Sequence, residues 1–510
     1  MSDWTSGYVT EINYSYGYYA NLNPLRIKLA FLHAGLDFPA VGAACELGFG
    51  QGVSINLHAS ASTIQWFGTD FNPSQVLFAN ELSKVSAANL YDDSFVDFCK
   101  RTDLPSFDYI GIHGVWSWIS EENRQVIIEF LRKKLKVGGV FYISYNTMPG
   151  WGTIAPLRHL MTQYQHNCGV SGNAIATEIN NTFKFIDSLL ATKPNWANSN
   201  PEVLRSFKQI EGKDRCYLAH EYFNQDWNPV YFSEMAESMQ KAKLSFACSA
   251  QYTDLIASVN LSRDQKVFLD GISDINFQQT IYDFVVNKKF RQDYWIKGRR
   301  SLTNQERDDC LRRQWVVLIV KRSEVTLKVR GALGELKISP EIYHPILEEL
   351  NENSPRSLGS LEQSLARKGL KLYAIANAIS LLIGMDYVAP ANEPNITDGL
   401  KKKTYSMNSL LISSAETNNN VRYLASPVIG GGIRVGYIQQ LFLLSRSKGG
   451  ETPDDWAKTA WDILCSRRQK VIKAGRTLQT DQENLDELLE LATRFSEQRL
   501  PVLIALQVVD

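Results

Sequence analysis

The strongest chemical signal in this chain is the run Glu46-Leu47-Gly48-Phe49-Gly50-Gln51-Gly52, which follows the apolar stretch Ala43–Leu47 and precedes a helical stretch starting near Val53. Three alternate glycines let a backbone turn tightly and approach a ligand more closely than side chains permit. A dinucleotide fingerprint Gly-x-Gly-x-x-Gly starting at Gly48 needs its third glycine at position 53, where Val53 stands; Gly52 comes one residue early. The carboxylate of Glu46 at the strand end repels a pyrophosphate and attracts an amino group. S-adenosylmethionine carries that amino group, so the pattern points to this ligand ahead of NAD. A glycine turn with a structural role alone is the alternative.

Asp70 ends the next apolar run, Gln65–Thr69. A carboxylate there can accept both ribose hydroxyls of a nucleoside, although isolated aspartates at strand ends also serve as turn residues. Asp92-Asp93-Ser94-Phe95 stands near the expected end of a third strand and offers a carboxylate to an adenine amino group and a ring to pack on it. Asp93 or Ser94 could equally cap a helix. Beyond the fourth strand, Gly111–Trp118 carries His113, Trp116 and Trp118 to the ligand rim of an open sheet. The segment Ser144–Trp151 brings Tyr145 there, and the cluster Tyr14–Tyr19 could fold over the crevice. Tyr16, Tyr18, Trp116, Trp118 and Tyr145 are the candidate aromatic pocket for an acceptor, with ordinary packing as the alternative reading. No general-base role rests on His113, and no catalytic base is assigned.

The elements needed to position these residues are legible as glycine-bounded apolar runs alternating with amphipathic stretches, the pattern of strand–helix units around a parallel sheet. Strands are expected at Ala43–Leu47, Gln65–Thr69, Ala88–Leu90, Tyr109–His113 and Val140–Tyr145, with a crossover helix over Glu121–Leu135. Residues 151–212 read as helical, and Phe232–Lys241 with Leu244–Ala250 as a helix and strand closing the sheet. Asp264–Trp295 reads as helical, with Lys297–Arg300 as a linker. Strands at Trp315–Val320 and Val325–Arg330 and helices around 340–385 suggest a small mixed or winged-helix unit. A polar run at 391–405 reads as a loosening, and the tail from 436 as helical. The expected domains are 1–255 for cofactor binding, 256–395 for regulation or substrate recognition, and 396–510 as a mainly helical or winged-helix part.

With 510 residues, 44% of them hydrophobic, the chain exceeds the roughly 250–300 residues one core supports. Basic and acidic residues balance at 54 each, which gives no global field toward nucleic acid. The seven cysteines form no Cys-x-x-Cys pair, which speaks against a zinc ribbon or disulfide framework and for a reducing, cytoplasmic setting. No stretch approaches the roughly 20 apolar residues of a membrane span, and no leader pattern opens the chain, so no membrane anchor is expected.

Taken together, Glu46–Gly52, Gly68–Pro73, Asp92–Phe95, Phe107–Trp118 and Lys136–Trp151 resemble the bacterial protein-lysine methyltransferases typified by the rickettsial enzymes that modify outer membrane protein B. The likeness is specific over about residues 8–165 and looser through a segment like that family's regulatory domain at about 217–300. It implies an α/β, class I, Rossmann-like seven-stranded sheet followed by helical and winged-helix parts. It also implies S-adenosylmethionine as donor, S-adenosylhomocysteine as product, lysines of a surface or outer membrane protein as acceptors before export, and a homodimer. Gly48, Gly50 and Gln51 would surround the methionine part, Asp70 the ribose, Asp93 and Ser94 the adenine, and His113 the sulfonium. Glu46, Phe49, Phe71 and Asp92 complete the expected cofactor contacts, and no metal is required. A small-molecule or RNA acceptor, or a non-catalytic scaffold that binds the cofactor, are the competing readings.

Overall fold

The computed structural model describes residues 16–169, 174–224 and 226–510. Seven strands form the central sheet: β1 (Ala43–Leu47), β2 (Gln65–Thr69), β3 (Asn89–Tyr91), β4 (Phe107–Ile112), β5 (Leu135–Asn146), β6 (Ser245–Ser249) and β7 (Phe290–Ile296). Their order is β3-β2-β1-β4-β5-β7-β6. The first five run parallel, whereas β7 is antiparallel to both β5 and β6. Helices cover both faces, and β1 is buried along its whole length, Glu46 included, as a central strand covered on both faces is. The strand order reverses on either side of β1, and a crevice opens there at the carboxyl ends of β1 and β4.

Two expectations need correction. Asp264–Trp295 is not helical throughout: helices occupy Arg263–Asp270 and Ile275–Val286, and the chain then enters β7. Its sequence, Phe-Arg-Gln-Asp-Tyr-Trp-Ile, hides the strand because its inner polar residues are buried charges. Arg291 and Asp293 are 3% and 1% exposed, and Arg291 pairs with Asp293 at 2.8 Å and with Asp283 at 2.7 Å. Since β7 lies beyond residue 255, the sheet itself crosses the expected domain boundary. The polar run 391–405 is likewise not a loosening: Pro394–Ser414 is one helix. Proline at its start is compatible with helix entry, and Thr397, Leu400, Thr404, Met407 and Leu411 bury one stripe while Lys401 and Lys402 face outward.

After β7 a three-stranded antiparallel sheet, β8 (Trp315–Leu318) flanked by β11 (Arg356–Ser357) and β12 (Val388–Ala391), packs among four helices. Between them in sequence lies the hairpin β9 (Lys328–Gly331) and β10 (Gly334–Lys337). A further hairpin, β13 (Tyr423–Ser426) and β14 (Gly431–Arg434), precedes the mainly helical remainder. This last part is not a separate body. Val53 and Leu57, on the helix that leaves the glycine turn, share one core with Met407, Leu424 and Ile433. Lys403 Nζ donates to the Ala59 carbonyl at 2.7 Å, and a Cβ on Gly432 would meet Leu57 Cδ1 at 2.8 Å.

Candidate active site

Gly48, Gly50 and Gly52 all have positive φ, +70°, +58° and +66°, so the turn after β1 takes a backbone path that side chains resist. A Cβ on Gly48 would also lie 2.8 Å from Val115 Cγ2. The turn is pinned to β2: Gly48 N donates to the Thr69 carbonyl at 2.8 Å, and Gly50 N donates to Asp70 Oδ2 at 2.8 Å. Asp70 Oδ1 accepts from Asn72 N at 3.0 Å, which fixes the carboxylate at the strand end. Above the turn lies a cavity of about 300 Å³.

That cavity brings together Glu46, Gly48, Phe49, Gly50, Gln51, Asp70, Phe71, Asp93, Ser94 and His113, as expected from sequence. Asp92 is the exception; it is exposed and does not line the cavity. Glu46 is 3% exposed, and its Oε2 is buried without a hydrogen-bond partner. Burial first, and the nearby Asp70 charge second, push its carboxyl up to about 8. Burial also pushes Asp70 up to about 6, against the two amides that hold it down. Two such groups facing one cavity are suited to a cationic or hydroxyl-bearing ligand that replaces the lost hydration.

Ser94 is the helix cap of the two candidates, accepting from Asp97 N at 3.2 Å at the start of Phe95–Lys100, and it also lines the cavity beside Phe95. Asp93 Oδ2 accepts from Arg101 Nη1 at 3.1 Å, and the Arg101 guanidinium lies 4.1 Å from the Tyr91 ring centroid. His113 stacks on Tyr19 with ring centroids 4.0 Å apart, and Tyr142 lies nearly parallel to it at 5.9 Å, meeting its edge. Its Nδ1 is 2.7 Å from Tyr142 OH. Burial pushes the imidazole down to about 4, which keeps it neutral at physiological pH.

Of the five pocket aromatics, only Trp118 lines the cavity. Tyr145 is 1% exposed and donates to Asp293 Oδ2 at 2.8 Å. Strand alternation explains it: on β5, Tyr142 and Ser144 face His113 and the Gly114 amide, so Tyr145 faces away. Trp116 is 2% exposed in the core beneath. Tyr18 hydrogen-bonds His58 Nε2 at 3.0 Å and packs on Tyr423; Tyr16 packs edge-on against Phe78. The extended chain therefore sends Tyr16 and Tyr18 toward the C-terminal part and Gly17 and Tyr19 into the cavity.

Sequence reasoning missed Tyr19 as a contact residue, although it belonged to the cluster suspected of closing the crevice. Its amide donates to Ser54 Oγ at 2.8 Å, which sets its position over His113. It also missed Asp226, a fourth carboxylate on the cavity wall, which no local pattern marks. Among the described residues no cluster of ligating side chains could hold a metal ion, and no helix is long and apolar enough to cross a membrane.

Residues 214–297, which include Asp226, match a family described as a predicted methyltransferase regulatory domain. An uncharacterized protein of Synechocystis sp. is 37% identical over 510 residues, covering 99% of each chain. An uncharacterized protein of Rickettsia prowazekii is 28% identical over 309 residues, 58% of this chain and 54% of its own. Among solved structures, PKMT2 from Rickettsia typhi in complex with AdoHcy superimposes with a TM-score of 0.67 at 21% identity, over 96% of this chain and 98% of that one. The fold is that of the class I methyltransferases.

Proposed function

The chain belongs to the same family as the full-length Synechocystis protein, and from that premise we propose that it is an S-adenosylmethionine-dependent methyltransferase acting on protein lysine side chains. The observation that carries the cofactor is the unpartnered buried oxygen of Glu46 beside the glycine turn. It suits the ammonium of the methionine moiety, as Asp70 suits the ribose and Asp93 with Phe95 the adenine. The solved PKMT2 complex with AdoHcy supports this reading. When bound, S-adenosylmethionine supplies a methyl carbon already activated by an adjacent positive sulfur.

The chain's own residues then have two tasks, alignment and delivery of a neutral amine. A free lysine has a pKa near 10.4, so deprotonation at pH 7 costs about 4.6 kcal/mol. Tyr19 and Trp118 offer apolar ring surface at the reaction end, and desolvation there lowers the amine pKa. Neutral His113 adds no positive charge where the acceptor and the donor cation meet. Lysine as acceptor rests on the sequence resemblance, and the bulk of chain outside the sheet fits an acceptor larger than one crevice holds.

The test is transfer of labelled methyl from S-adenosylmethionine to bacterial envelope proteins, comparing the natural protein with Asp70→Asn. Label recovered as methyl-lysine and lost in the variant supports the reading. Cofactor binding with label only on small molecules or RNA would replace it.

A further inference from the structure

One short stretch of chain crosses the reaction end of the cavity, and it leads into a second cleft. Gly17 lines both the cofactor cavity and a neighbouring cleft of about 340 Å³. Tyr19 stacks on His113, and Asn21 Nδ2 donates to Gln292 Oε1 at 2.7 Å beyond it. Five residues therefore connect the cleft, the reaction end and the outer strands, a span of at most about 14 Å. A peptide that presents a side chain beside Tyr19 reaches the cleft with residues only a few positions away.

The cleft is basic, whereas the cavity is acidic. Glu46, Asp70, Asp93 and Asp226 line the cavity; Arg422 and Arg434, with Asn419, Asn420, Tyr16 and Tyr423, line the cleft, and among the described residues no carboxylate lines it. Both arginines stand on the β13–β14 hairpin, Arg434 in register with Tyr423, and the Arg422 carbonyl accepts from Val435 N at 2.9 Å. Their side chains are exposed. Many arginines elsewhere are committed: Arg101, Arg291, Arg300, Arg312 and Arg356 each pair with a carboxylate. Among the described residues neither Arg422 nor Arg434 has such a partner. A guanidinium matches a carboxylate with two parallel hydrogen bonds, and two adjacent ones form a selective receptor for acidic side chains.

We propose that the Arg422–Arg434 cleft binds acidic residues flanking the acceptor lysine, so that the substrate class is a lysine set in acidic sequence. The inference rests on the lysine reading above. The balanced charge of the whole chain favours a peptide over a polyanion such as RNA.

The test uses the full chain with AdoHcy or S-adenosylmethionine and two fluorescent peptides, each with one lysine, flanked by aspartate and glutamate in one and by asparagine and glutamine in the other. Exposed charge pairs are individually weak, so the acidic peptide should bind about tenfold tighter at low salt, with the difference shrinking as salt rises. The Arg422→Gln/Arg434→Gln variant should remove that difference by raising Kd and KM for the acidic peptide, while kcat and AdoHcy affinity stay unchanged. Equal affinities for the two peptides in the natural protein, or an acidic preference that survives the double variant, would overturn the proposal and leave the lysine reading intact. Binding and labelling of neither peptide, with AdoHcy still bound, would remove both. An RNA oligonucleotide that bound through these arginines while the acidic peptide did not would assign the cleft to nucleic acid instead.

Discussion

Replacing Glu46 by glutamine isolates the cavity carboxyl that burial raises furthest from its ordinary value. With its carboxyl raised to about 8, Glu46 is mostly protonated at pH 7 in the empty protein. A ligand ammonium favours the ionised form, so binding expels the proton, and the apparent Kd scales as one plus ten to the power of pKa minus pH. Between pH 6 and pH 8 that factor falls from about 101 to about 2, a gain of about fifty-fold, or about 2.3 kcal/mol. Asp70, at about 6, steepens the dependence further below that pH. The sign for stability is opposite: a raised carboxyl favours the empty fold fully below the ordinary value of 4.5, and that contribution is lost as pH climbs through 8. The assay is calorimetric titration with AdoHcy at pH 6, 7 and 8 in buffers of different ionisation enthalpy, which counts released protons. Glu46→Gln should bind weakly at all three values with a nearly flat profile and no proton release from this site. A flat profile in the natural protein would refute the charge assignment, as would an unchanged slope in the variant.

Other consequences are separable by their readouts. Gly48→Ala, placed at φ +70° against Val115, should abolish AdoHcy binding measured by calorimetry while the far-ultraviolet circular dichroism stays native. Trp116→Ala should cost about 3–5 kcal/mol in urea denaturation, whereas Trp118→Ala should leave stability within about 1 kcal/mol and raise the acceptor KM. Arg291→Met strands Asp283 and Asp293 in the interior and should cost about 3–5 kcal/mol by the same denaturation; Tyr145→Phe, which removes one hydrogen bond to Asp293, should cost about 1–3 kcal/mol.

The side of the cavity built on the glycine turn was legible because its residues are local. Glu46 through Gly52, Asp70 and Asp93 each sit at the end of a parallel strand, and hydrophobic runs mark those ends well. The aromatic side was not, because it depends on which way alternate residues point. Tyr145 and Trp116 have the right type and address, yet strand alternation on β5 and the turn after β4 bury them, and Tyr142 and Trp118 face His113 and the cavity instead. Asp226 reaches the cavity from far along the chain, which no spacing rule reports. The hidden strand β7 has a related cause: its inner face carries a buried ion pair where a periodicity reading looks for valine and isoleucine.

The hairpin Tyr423–Arg434 lies against the helix Val53–Ser60, which begins directly after the glycine turn, with Gly432 touching Leu57 and Lys403 closing the end of the helix at Ala59. This ties the earliest part of the site to a segment synthesised nearly four hundred residues later. On the ribosome the glycine turn therefore waits, its apolar flank uncovered, until the hairpin emerges. Ligand affinity should switch on late in synthesis, and a chain stalled before residue 434 should be a client for chaperones and not yet a binder of AdoHcy.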